Sequence, residues 1–276
     1  MKTILVINHH SFVDLITNSS SELFVCNTQK TVTQVKKILK KIVETTNELG
    51  GTSKSFEDCF GEIKEAKFTY DISLFNNDVL KAYELYDTSF YYSGHGSSPY
   101  QAEYYKECKE AEEKLQAIHP YFTAPNRKKN HADLTKSEIK EIEEQGADYW
   151  KQSDILWTPY GAKKLEVSCD LFIDFMRINQ FSEKDIQKVT DISMNAVLLY
   201  GKEQRGRFVD LSFLKTVKGF PKKLHEALSS FIEAQSWGMT INKGAILIYS
   251  NGDNSIPYET FDLIENYLHA ERYHLG

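Results

Sequence analysis

The sequence predicts an α+β fold, a mixed sheet flanked by helices with a helical insertion in the middle of the chain, and three observations predict it. Both flanks of the 276-residue chain carry short apolar runs of strand length, some alternating and some continuous. Between them lie segments whose apolar residues keep helical spacing. The stretch 76–164 has another texture, rich in Glu, Lys and Tyr and poor in β-branched runs. It is broken by "HPYFTAPNRKKNHADLTK", whose prolines, asparagines and basic cluster mark a surface loop. The expected division is a sheet body formed by 1–75 and 165–276, with the helical insertion at 76–164.

Along the chain, "TILVI" is a possible first strand and "SELFVC" a second. From Thr31 the residues Val32, Val35, Ile38, Leu39, Ile42 and Val43 keep helical spacing. Thr31 with Gln34 has the form of a capping box, and Gly50-Gly51 ends the run. "AKFTYDISL" alternates Phe68, Tyr70, Ile72 and Leu74 as a strand would, and "KLEVSCDLFI" does the same with Leu165, Val167, Cys169, Leu171 and Ile173. "RFVDLSFL" reads as a strand, and the continuous run "GAILIYS" as a central one. Helices are expected near 101–117, 134–152, 183–200 and 221–236. A last helix runs from Pro257 to Ala270, with Asn254 or Ser255 as its cap.

Composition bounds the function. Lys plus Arg number 33 and Asp plus Glu 39, a net charge of -6 that gives no strong nucleic-acid signal and no attraction to an anionic membrane. No apolar run approaches the ~20 residues of a membrane span, and His9-His10 interrupt the N-terminal run before the ~7 to 15 apolar residues of a signal peptide. Cys26, Cys59, Cys108 and Cys169 are too far apart in sequence for a zinc knuckle or a redox CxxC, which suggests free thiols. The histidines show no HxxxH or HExxH spacing, so neither a metal nor a cofactor is expected. Aromatic residues make up 13% of the chain, including 16 Tyr, a residue suited to surfaces buried on one side and wet on the other.

Two polar loops stand out. "DLITNSSSELFV" gathers Asp14, Thr17, Asn18 and Ser19 without the glycines that flank a serine nucleophile, which favours an Asx or Ser/Thr turn over catalysis. "SNGDNSIP" carries Asp253, Asn254 and Ser255 between a strand and a helix, where they serve as caps or as a ligand loop. A third segment, "SFYYSGHGSS", resembles the histidine motif of caspase-like and metacaspase cysteine peptidases. That resemblance makes His95 the general base and Cys169 the candidate nucleophile. The plainer reading of the same residues is a glycine-rich loop holding an exposed histidine.

The "TNSSSE" segment and the pair "DNSIP" and "RYHLG" near the end also resemble segments of uncharacterised proteins of large tailed bacteriophages of the crAss-like type. That resemblance implies a virion structural protein without catalytic residues, such as a ring or connector subunit of the neck or tail. Its partners would be other virion proteins and copies of itself, with no membrane involved. Its place would be the virion, and the host cytoplasm during assembly. The alternatives are the caspase-like peptidase and a host-directed binding protein.

Overall fold

The computed structural model describes residues 21–50, 53–86, 103–123, 134–251 and 258–275. In chain order the elements are β1 (Glu22–Cys26), α1 (Val32–Gly50), α2 (Phe56–Cys59), β2 (Phe60–Glu65), α3 (Asn77–Glu84), α4 (Glu103–Ile118) and α5 (Pro120–Thr123). They continue with α6 (Lys136–Ile178), α7 (Glu183–Lys202), α8 (His225–Ser236), β3 (Ile246–Ser250), α9 (Tyr258–Leu268) and β4 (Ala270–His274). The fold is α+β, and the chain divides into two compact units, Met1–Asp71 with Met239–Gly276, and Ile72–Gly238.

The first unit is built on a four-stranded sheet of order β2-β3-β1-β4. Every pairing among its described strands is antiparallel, where a mixed sheet is expected. β1 lies between β3 and β4, so all five of its residues are buried. Thr31 and Gln34 cap α1 reciprocally: the Thr31 N–H donates to Gln34 Oε1 at 2.8 Å and the Gln34 N–H to Thr31 Oγ1 at 3.3 Å. The helix buries Val35, Leu39, Ile42 and Val43, which pack with Phe24, Ile63, Ile248, Phe261 and Ile264 in one apolar cluster. His269, at φ 50, ends α9 and turns the chain into β4. No strand is expected there from the sequence, and the expected last helix runs to Ala270, the first residue of β4.

The second unit is helical around α6, whose 43 residues extend for roughly 65 Å at ~1.5 Å per residue. The capping box of Thr135 and Glu138 starts it. Gln180, at φ 57, and the cap Ser182 return the chain as α7, which packs along α6. Phe172 and Phe175 of α6 close on Phe231 of α8 at ring separations of 5.5 and 5.3 Å.

Several expected strands are not strands. "KLEVSCDLFI" lies inside α6, and residues 165–238 accordingly belong to the helical unit, with the sheet unit resuming at Met239. Leu165, Val167, Ser168, Cys169, Leu171, Phe172 and Ile173 are all buried, and a helix apolar around most of its circumference contains an alternating subset by accident. "RFVDLSFL" becomes a 3-10 turn at Leu211–Thr216. In "AKFTYDISL" Tyr70 makes only a single bridge to Ile241, and Ile72–Leu74 is 3-10. The strand of this region is β2, just before it. "TILVI" and the proposed cap at Asn254 or Ser255 lie outside the described residues.

Candidate functional site

Of the residues singled out in the sequence, Asp14, Thr17, Asn18, Ser19, His95, Asp253, Asn254 and Ser255 lie outside the described residues. Cys169 is described. It stands on α6 at 1% exposure, and burial pushes its thiol up to about 12, against a smaller lowering from a hydrogen bond with Ser193 of α7. A nucleophilic cysteine needs the thiolate and a path to solvent, and Cys169 in this setting has neither at neutral pH. Cys26, Cys59 and Cys108 are buried free thiols as well. Among the described residues no group of three or more His, Cys, Asp or Glu is placed to hold a metal, and no helix is long and apolar enough to cross a membrane.

The densest polar arrangement of the helical unit is a network joining α4 to α6. Glu112 of α4 is nearly enclosed, and its Oε1 accepts from Ser153 Oγ at 2.6 Å and from the Tyr149 hydroxyl at 3.3 Å. Gln116 in turn donates to the Tyr149 oxygen at 2.9 Å. Burial raises the ionisation of Tyr149 above its ordinary value, so the phenol keeps the proton that it donates. Next to it, His119 Nδ1 accepts the Tyr121 N–H at 3.2 Å. The proton therefore resides on Nε2, which donates to Asp148 at 3.2 Å.

The second Glu112 oxygen faces outward and pairs with Arg207 Nη1 at 3.7 Å. The Arg207 guanidinium lies over two rings, 5.1 Å from the centre of Trp157 and 4.9 Å from that of Phe208. Trp157 is buried and edge-on to Tyr160, whereas Phe208 is 77% exposed. The stack Trp157–Arg207–Phe208 thus anchors one end in the core, fixes its cation with a buried carboxylate, and presents a benzyl ring to solvent. The backbone under it is held too. Tyr200 donates to the Phe208 carbonyl at 2.9 Å, and the Gly206 N–H donates to Thr158 Oγ1 at 3.0 Å.

α7 adds a second exposed apolar feature. Ile186, Val189, Ile192, Ser193, Ala196 and Tyr200 are its buried residues, yet Met194 and Leu198, one turn apart on the other side, are 59% and 72% exposed. Among the described tyrosines, expected at contact surfaces, Tyr70, Tyr83, Tyr149, Tyr160 and Tyr200 are buried, whereas Tyr267 is 68% exposed.

Sequence reasoning missed this surface. The available signal was an apolar arc on α7, including Met194 and Leu198, wider than one packing face requires. Compared with known proteins, the chain matches no family, no curated protein and no solved structure.

Proposed function

We propose that the chain is a structural protein of a bacteriophage virion, a ring or connector subunit of the neck or tail that works through protein–protein contacts. The observation that carries this reading is the braced Phe208 on its Arg207–Trp157 stack. Aromatic and arginine side chains dominate the energetics of protein interfaces, and a side chain held in place before contact loses little entropy on binding. Met194 and Leu198 extend the apolar surface of the same helical unit. The viral setting comes from the resemblance of the "TNSSSE", "DNSIP" and "RYHLG" segments to tailed-phage proteins.

In this reading the chemistry is that of burial and complementarity. Phe208, Met194 and Leu198 leave water against neighbouring subunits at about 25 cal/mol per Å² of apolar area. The hydrogen bonds of Glu112, Tyr149 and Ser153 join α4 to α6, the helix that supplies Trp157 under Arg207. Mass spectrometry of particles purified from the phage encoding the chain tests the proposal. A fixed copy number per particle is expected, and absence of the chain from the particle refutes it. Protease activity in the purified chain that disappears in His95→Ala would favour the peptidase in its place.

A further inference from the structure

We propose that two copies of the chain pair through the outer face of α7 across a two-fold axis that passes between Met194 and Leu198. The proposal rests on the reading of the chain as an assembly protein, and specifies one of its contacts and the partner, a second copy. It follows from the order of side chains along the solvent side of the helix.

α7 carries two stripes. Ile186, Val189, Ser193, Ala196 and Tyr200 are buried within the unit. Gln187, Asp191, Met194, Leu198 and Gly201 form another, spaced by four, three, four and three residues, the spacing of a helix-pairing seam. Gln187, Asp191, Met194 and Leu198 are exposed, and a Cβ built on Gly201 meets nothing within 4 Å. The stripe begins polar and acidic, is apolar at its centre, and ends in a residue without a side chain next to the exposed Lys202.

Antiparallel pairing about this two-fold axis sets Met194 against Leu198 of the second copy, and Leu198 against Met194. The same register sets Asp191 against Gly201, where the missing side chain leaves room for the carboxylate. Lys202, the neighbour of Gly201, then reaches that carboxylate, and symmetry forms the ion pair twice. Neither Asp191 nor Lys202 makes an ion pair among the described residues, and Asp191 uses Oδ1 for Gln187 at 2.9 Å, leaving Oδ2 for the lysine. Parallel pairing would oppose Asp191 to Asp191 and Lys202 to Lys202, so the charges select the antiparallel register.

Sedimentation velocity on the full chain, from about 5 to about 200 µM, spans the affinities of an interface this small and should detect a monomer–dimer equilibrium. Met194→Lys and Leu198→Lys, both at exposed positions, should each weaken it at least ~10-fold while far-UV circular dichroism stays unchanged. Asp191→Lys or Lys202→Asp alone should weaken it, because each opposes like charges, and the two together should restore it. A chain that is monomeric throughout the range overturns the pairing. So does a dimer indifferent to these substitutions, or a double exchange that fails to rescue. The virion reading fails separately, by absence of the chain from particles, and a dimeric chain outside the particle would leave the α7 pairing standing.

Discussion

The Tyr200 hydroxyl donates to the main-chain carbonyl of Phe208 at 2.9 Å, with the carbonyls of Gly206 and Arg205 at 3.3 and 3.4 Å. One buried phenol thereby gathers the turn that leaves α7 and presents Phe208. Tyr200→Phe removes the hydroxyl that bonds this cluster while preserving the ring that packs edge-on against Phe213. Urea unfolding of the helical unit should show a loss of about 1–2 kcal/mol, the cost of one buried hydrogen bond with its acceptor left behind. A loss below 0.3 kcal/mol would mean that water replaces the phenol on these carbonyls.

Gly161 makes that approach possible. A Cβ on Gly161 of α6 would run into the Gly206 carbonyl oxygen, and would also lie 2.9 Å from the Tyr200 ring. The nearest obstacle is backbone, which cannot swing aside as a side chain end does. Gly161→Ala is therefore expected to destabilise the unit by ~3 kcal/mol or more, although alanine is the better helix former. Gly201→Ala, with open space at its Cβ, should change stability by less than ~0.5 kcal/mol in the same measurement.

The α+β class, α1 with its capping pair, and the strands "SELFVC" and "GAILIYS" were legible because each is a local pattern with a matching boundary signal. α6 was not. Between 165 and 173 its buried side chains cover all of the helix but the arc of Glu166 and Asp170, which blurs the 3.6-residue period and leaves an alternation that imitates a strand. β4 was hidden for the opposite reason. "AERYH" is polar, and it becomes a strand only because β1 lies beside it to be paired. The stack on Arg207 joins residues 50 positions apart in sequence, Trp157 and Arg207, and no spacing rule connects them. Met194 and Leu198 were visible as apolar residues, but only the position of α6 reveals that they lie on the side it leaves uncovered.

Glu112 is the hub on which Tyr149, Ser153 and Arg207 converge. Glu112→Ala leaves two buried hydroxyls and a partly buried cation without their acceptor, and should cost about 2–4 kcal/mol in thermal or urea unfolding. Glu112→Gln keeps an oxygen for Ser153 and loses the charge opposite Arg207, so its cost should be roughly half as large. If Glu112→Gln is as stable as the wild type, Arg207 draws nothing from the carboxylate, and Phe208 is held by stacking alone.

Alkaline pH supplies the last prediction. Burial pushes the thiols of Cys26 and Cys169 from 9.0 up to about 12, and the Tyr200 phenol from 10.0 up to about 12. For each group the fold binds a proton that the unfolded chain has already released. The stability it contributes is therefore complete below the unfolded value, and is lost as pH rises through the window up to about 12. The free energy of unfolding should stay flat toward pH 8 and decline beyond pH 9, each such group adding about 1.4 kcal/mol per pH unit to the slope. Cys169→Ala should be less stable at pH 8, because it empties a packed position, yet show a shallower decline between pH 9 and 11. Urea titrations at one-unit intervals separate the two effects. A parallel decline in the variant would mean that the Cys169 thiol ionises in the fold as readily as in the open chain, and would reopen the question of its access to solvent.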